Sequence, residues 1–388
     1  MAEVKALAQE TMTVTRKIAR PGIDESRIEK LRRVAAERAE HGPFAIYIAQ
    51  IDPDAIGSAF GMQEVLSQLG HTSHIYYQGR VGHPQNEALC QKLGLMSRMR
   101  SLTDPNTDSS GQCPENIVLV DSSKSKDSRL PFVIEPVIVV DHHEKSDIKD
   151  REDIFLWLDE SSGSASTMVA ELLSEITPET WEFKSDLALM LALGIYTDCK
   201  SNTRSGERDD QAYAWVKRYT DASLLCDLVN YKRQFSFLKH LSRAVAYVDK
   251  HDTYRKGRIL GGLGRIPEKC GDDLAMVADE LLRTVGAPLA VTWAVVEVKD
   301  KTTGDVTLKI RVCARSEDYT TPLGETLADR FGDKSGAKSL PDGSAEGGAL
   351  FEFPGVGPWV SDSEMEELIH KRIMEWFYDK DESGTVDA

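Results

Sequence analysis

The chain has 388 residues, with 47 Lys and Arg against 63 Asp and Glu, for a formal net charge of −16. That balance excludes a protein that grips long DNA or RNA through a broad basic face, because such binding neutralises many phosphates, and it disfavours a polybasic membrane-surface binder. A small anion held through metal ions remains compatible, since a metal site is itself built from carboxylates. With 41% hydrophobic and 28% charged residues the composition is globular, and the length fits two to three domains at about 150 residues each.

The first residues, MAEVKALAQETMTVTRKIARPG, lack the continuous apolar core of a signal peptide, and no run approaches the roughly 20 apolar residues that span a bilayer. The cysteines (Cys90, Cys113, Cys199, Cys226, Cys270, Cys313) are scattered, with no CxxC pair and no zinc-like spacing, which reads as thiols in a reducing cytoplasm. His74, His83, His240 and His251 carry no spacing that raises them above ordinary polar histidines.

In chain order, residues 24–41 read as a charged amphipathic helix. An apolar run from Phe44 to Ile51 then suits a buried parallel strand that stops at Asp52-Pro53-Asp54. Residues 57–69 have helical spacing, and His74 to Tyr77 is a strand candidate. Three further apolar runs follow: 116–120 ends at Asp121, 137–140 at Asp141-His142-His143, and 154–158 at Asp159. Helices are expected at 164–176 and 184–196, then at 272–285. Residues 289–298 and 306–314 read as strands joined by a hairpin-like turn. A helix over 322–331 precedes a Gly-rich stretch, 332–348, readable as a flexible loop or as an anion cradle of backbone N–H groups and lysine. A last amphipathic helix over 362–378 carries the apolar stripe Met365, Leu368, Ile369, Ile373, Trp376 and Phe377, which packs on its own chain or on a partner, a homodimer included.

Strands alternating with helices predict an α/β fold with a mostly parallel sheet and flanking helices, followed by a smaller α/β domain. The expected segments are an N-terminal helical extension (1–40), a catalytic domain (41–250), a linker (251–271), a substrate-binding domain (272–360) and a C-terminal helix and tail (361–388). In parallel sheets ligands bind beyond the carboxyl ends of the strands. Acidic residues fall there strand after strand. One Asp after a strand is usually a turn former or helix cap, as Asp159 is expected to be. Three successive cases, one with a His-His pair, are harder to dismiss. Asp52, Asp54, Asp121, His142, His143 and Asp198, the last at a helix end, offer the carboxylate and imidazole set that suits Mn²⁺ or Mg²⁺.

These residues resemble a family. Asp141-His142-His143 resembles the name-giving motif of the DHH phosphoesterases, Asp52-Pro53-Asp54-Ala55-Ile56-Gly57-Ser58 the first motif, Asp121-Ser122-Ser123 the second and Thr197-Asp198 the fourth. Downstream, Arg315-Ser316, Leu327-Ala328 and the Gly-rich stretch are similar in order to the DHHA1 domain of the RecJ-like exonucleases and of the smaller oligoribonuclease/nucleotide phosphatase branch. The likeness spans about residues 40–355. Three positions depart from it: Ile48 stands where family members place a metal-binding His, Ile51 stands where they place a Pro, and the DHHA1 motif GGGHxxAAG has no His here.

The resemblance implies a metal-dependent hydrolase. Asp54, Asp121, His142 and Asp198 would hold one Mn²⁺ or Mg²⁺, and Asp52 and Asp121 a second, with a metal-bound hydroxide as nucleophile. His143 and Asp121 would be catalytic, His143 also meeting the scissile phosphate. Arg315, Ser316, Arg204, Lys334 and Lys338 would contact substrate, a short oligonucleotide or small nucleotide. Two alternatives stay open: a polyphosphate- or pyrophosphate-type phosphohydrolase of the same family, and a catalytically degenerate nucleotide-binding regulator, which Ile48 favours.

Overall fold

Asp24 caps the first helix, α1 (Glu25–Arg38), by accepting from the Ser26 amide at 3.1 Å, and Ile28, Leu31, Val34 and Ala35 form its buried stripe at helical spacing. The computed structural model describes residues 20–79, 81–102, 116–126, 133–143, 146–255, 257–299, 306–317, 323–331, 335–339, 344–351 and 360–377. The chain divides into two compact units, Met1–Tyr231 and Lys232–Ala388.

The first unit continues through β1 (Phe44–Ile48), α2 (Pro53–Gln68), β2 (Ser73–Tyr77), α3 (Pro84–Lys92), β3 (Met99–Ser101), β4 (Ile117–Val120), β5 (Pro136–Asp141) and β6 (Phe155–Leu158). It closes with four helices, α4 (Ala165–Ile176), α5 (Ser185–Asp198), α6 (Glu207–Lys217) and α7 (Ala222–Val229). All strand pairings are parallel and the order is β3-β2-β1-β4-β5-β6. β1, β4 and β5 are buried along their whole length, which is why they read as unbroken apolar runs. The chain winds outward from β1 to β3, then returns to place β4 on the other side of β1. That reversal leaves a crevice beyond the carboxyl ends of β1 and β4, the usual ligand position in an open α/β sheet.

The second unit consists of α8 (Phe235–His251), β7 (Tyr254–Arg255), β8 (Arg258–Pro267), α9 (Asp273–Val285), β9 (Leu289–Lys299), β10 (Val306–Ser316), α10 (Leu323–Phe331), β11 (Ser335–Ser339), β12 (Ala345–Phe351) and α11 (Asp362–Phe377). Its sheet runs β11-β12-β10-β9-β8-β7, antiparallel except for β8 beside β9. Along β10 every second side chain, from Leu308 through Ile310 and Val312 to Ala314, enters one core together with Met365, Ile369 and Ile373 of α11. Met365, Ile369 and Ile373 of the terminal stripe therefore pack on their own chain, whereas Leu368 is exposed and the side chains of Trp376 and Phe377 lie outside the described residues. The opposite sheet face is covered by α8 and α9 through Phe237, Ala244, Leu274, Val277 and Leu281.

Parts of this unit depart from the sequence expectation. Residues 258–267, inside the expected linker, are strand β8, and the Gly-rich stretch holds two strands rather than a loop. The pairing partner explains the second case: a Cβ on Gly348 would lie 2.8 Å from the Val312 carbonyl oxygen, so β12 takes glycine where it presses on β10. Helices α6, α7 and α8 also go beyond the sequence expectation, although α8 buries Phe237, His240, Ala244 and Tyr247 at helical spacing. Among the described residues no helix is long and apolar enough to cross a membrane.

Candidate metal centre

The carboxyl ends of β1, β4 and β5 and the last turn of α5 meet at one place. Asp52 caps α2, its Oδ1 accepting from Ala55 N at 2.9 Å. Two residues further, Asp54 is fully buried and points at the start of α4, where its two oxygens accept from Ala165 N and Ser166 N, each at 2.8 Å. A carboxylate is well placed there, since the first amides of a helix lack partners and carry partial positive charge. The approach requires small residues: a Cβ on Gly57 would sit 2.7 Å from both Met190 O and Ser166 Oγ, and one on Gly194 would sit 3.0 Å from Asp54 Cα.

Asp121 ends β4 in a left-handed conformation, φ 54°. A non-glycine residue costs about 1–2 kcal/mol there, a strain of the kind found at functional sites. Its amide remains bonded to Val140 O at 3.0 Å, so the turn redirects the carboxylate without leaving the sheet. His142 follows β5 directly. Its Nδ1 lies 3.3 Å from the Ser162 carbonyl, which can only accept, so Nδ1 carries the proton and neutral His142 has its lone pair on Nε2. That Nε2 is 3.2 Å from Asp198 Oδ2, 3.4 Å from Asp121 Oδ1 and 3.8 Å from Asp54 Oδ2. The loop carrying Ser162 is fixed by buried Asp209, which accepts from Gly163 N at 3.0 Å and from Thr167 Oγ1 at 2.7 Å.

A lone pair facing three carboxylates is unstable unless a cation or a proton lies among them. Asp121 Oδ1 and His142 Nε2 are both buried and make no hydrogen bond. Burial, then the charge of Asp52, hold the Asp121 carboxyl well above the usual range, and burial followed by Asp198 raises Asp54. Burial alone would lower His142, but its contacts with Asp121 and Asp198 outweigh it and hold the imidazole well above its ordinary value. Asp54, His142 and Asp198 offer donor atoms within 4.8 Å of one another, as do Asp121, His142 and His143. The residues therefore fit a hard divalent cation.

The neighbouring His143 is oriented by Asp141, whose Oδ1 accepts from its Nδ1 at 2.6 Å. Its Nδ1 is also 3.7 Å from Asp121 Oδ1. Burial would raise Asp141, yet the bond to His143 wins and its carboxyl is held low, hence ionised. Asp141 belongs to the name-giving motif but has no role of its own in the sequence reading; its adjacency to two histidines was the available signal for one. The Ser162 carbonyl had none.

Other predicted residues are placed as follows. Ile48 is fully buried in β1 and offers no donor. Asp159 is a turn residue, accepting from Ser161 N at 3.2 Å and pairing with Arg208 at 2.8 Å. Arg204 closes a turn of three left-handed residues, Lys200 to Asn202, by donating its amide to Cys199 O at 3.1 Å. In the second unit Arg315 pairs with Asp279 at 2.8 Å, and Ser316 is buried at the end of β10. Lys334 and the Lys338 side chain lie outside the described residues.

The chain is similar to known proteins. Residues 44–195 match the profile of the DHH family, N-terminal domain. The chain carries a DHH domain. An uncharacterized protein of Methanocaldococcus jannaschii, MJ1633, is 28% identical over 333 residues, covering 84% of this chain and 62% of that protein. The cyclic-di-AMP phosphodiesterase GdpP of Bacillus subtilis is 26% identical over 172 residues, covering 43% of this chain and 26% of GdpP. The chain thus spans under two thirds of each of these relatives. An exopolyphosphatase-related protein of Bacteroides fragilis superposes with a TM-score of 0.62 at 14% identity, over 91% of this chain and 97% of that one, a likeness of fold. The DHH domain includes β1 through most of α5, and thus all the clustered residues except Asp198 at the helix end.

Proposed function

We propose that this DHH protein is a Mn²⁺- or Mg²⁺-dependent phosphoesterase acting on short oligonucleotides or small nucleotides. The observation that carries the reading is the convergence of His142 Nε2 on Asp54, Asp121 and Asp198, with Nδ1 turned away to Ser162 O. Asp54, Asp121, His142 and Asp198 would hold one ion, and Asp52 with Asp121 a second. Such ions supply positive charge to phosphoryl oxygens and acidify water at neutral pH.

This chain's own groups do the rest. The Asp141 carboxylate holds the His143 ring, so its Nε2 is presented at a fixed angle to hydrogen-bond a phosphate oxygen or pass a proton to the leaving group. Burial of Asp54, with the Asp121 side chain mostly covered, keeps water from screening the charges that orient the phosphate. Arg204, and in the second unit Arg315, Ser316, Lys334 and Lys338, are the residues we assign to further substrate contacts. The likeness to GdpP, named as a cyclic-di-AMP phosphodiesterase, supports a nucleotide phosphodiester over polyphosphate.

A substrate panel tests the reading. The full chain is offered a linear dinucleotide, a cyclic dinucleotide, 3′-phosphoadenosine 5′-phosphate and polyphosphate, with Mn²⁺ or Mg²⁺. Turnover of a nucleotide that Asp121→Ala abolishes supports it. Tight nucleotide binding without turnover of any compound would replace it with the regulatory reading, and turnover of polyphosphate alone with the phosphohydrolase one.

A further inference from the structure

A second donor cluster lies inside the other unit. His240 projects from the middle of α8, Cys270 ends the 3₁₀ turn Glu268–Cys270 that follows β8, and Asp273 opens α9. All three are buried, with exposures of 5%, 8% and 7%. A ring nitrogen, the sulfur and a carboxylate oxygen lie within 4.8 Å of one another, and His240 Nδ1 is 2.5 Å from Asp273 Oδ2. The surroundings are apolar: Phe237, Ile266, Leu274 and Met276 belong to the same core.

We propose that His240, Cys270 and Asp273 form a transition-metal site of the zinc type. The donor chemistry points to this ion. Thiolate, imidazole and carboxylate together are borderline-soft, which suits Zn²⁺ and suits Mg²⁺ or Ca²⁺ poorly, whereas the centre at the parallel sheet has no sulfur in its donor set. Three protein ligands leave one tetrahedral position for water or a further group. The placement gives the ion a structural task. The three ligands come from three segments packed on one face of the second sheet, so an ion would pin α8 and α9 to the turn between β8 and α9. A buried His–Asp pair alone is a weak source of stability, because burial offsets much of its attraction. A shared cation converts the same groups into ligands and releases the thiol proton. Cys270 and Asp273 are three apart across a helix start, and His240 is distant in sequence, so no CxxC-type spacing announces the site.

Cobalt is the probe. The full chain is stripped of metal and titrated with Co²⁺, which gives a near-ultraviolet charge-transfer band only when a thiolate is a ligand. The expected result is a band that saturates, disappears on adding Zn²⁺, is absent in Cys270→Ser and survives in Asp121→Asn. His240→Gln should weaken Co²⁺ binding at this site at least tenfold, since loss of even an outer partner of a metal ligand typically lowers affinity about 10–100-fold. It also serves as the second variant should Cys270→Ser fail to fold. Absence of the band in the wild-type chain, or its persistence in Cys270→Ser, would overturn the proposal and leave a hydrogen-bonded His–Asp pair within the core.

Discussion

His142→Ala removes the nitrogen that faces Asp54, Asp121 and Asp198, without touching the backbone bonds that hold the Asp54 carboxylate. An ion that binds only the folded chain stabilises it by about 2.7 kcal/mol at a hundredfold excess over its dissociation constant. In a domain of this size 1 kcal/mol moves the unfolding midpoint by about 2–4 °C, so Mn²⁺ should raise the wild-type midpoint by about 5–11 °C. Losing an imidazole ligand should weaken binding by about 100-fold, at or beyond the upper end of what outer partners contribute. At the same Mn²⁺ concentration the variant then gains only about 0.4 kcal/mol, or about 1–2 °C. Thermal melts of both proteins in Mn²⁺ and in chelator measure the difference. A variant that kept the full shift, or a wild-type chain with none, would refute the assignment of His142 as a ligand.

Asp141→Asn should lower turnover while leaving Mn²⁺ affinity within a few fold, because Asp141 orients His143 rather than the cluster at His142; its stability cost should be about 1.5–3 kcal/mol for one charge-assisted hydrogen bond. Equal losses of turnover and Mn²⁺ affinity would contradict that role. Gly57→Ala should destabilise by about 1–3 kcal/mol through overpacking against Met190 and Ser166, and a variant as stable as wild type in urea titrations would count against the close helix approach. Arg208→Ala should cost about 3 kcal/mol near neutral pH, since it strands buried Glu171, now paired at 2.8 Å. Burial raises the Glu171 carboxyl above its usual range. A carboxyl raised in the folded state opposes folding when ionised, so this penalty should shrink as pH falls through the raised value. Urea unfolding at neutral and mildly acidic pH checks the sign; a penalty that grows on acidification would contradict it.

The parallel sheet was legible because β1, β4 and β5 are buried on both faces and so read as unbroken apolar runs, each stopping at an acidic motif. The clustering of Asp54, Asp121 and His142 followed from where those runs stop, and Asp198 joins them from the end of α5. What stayed hidden depends on tertiary pairing. Glycines of β12 look like a loop until β10 lies against them, and β8 hides in a stretch dense in Gly, Lys and Arg. The Ser162 carbonyl that fixes the His142 tautomer is a backbone atom with no sequence signature. His240 looked ordinary because its neighbours Cys270 and Asp273 are far along the chain.

The central claim is that a divalent cation sits among Asp54, Asp121, His142 and Asp198. Crystals of the full chain soaked in Mn²⁺ and measured at the manganese absorption edge test it most directly. The account predicts an anomalous peak bounded by His142 Nε2 and the three carboxylates. A featureless map there at saturating Mn²⁺, with His142 Nε2 hydrogen-bonded to a carboxylate instead, would contradict it.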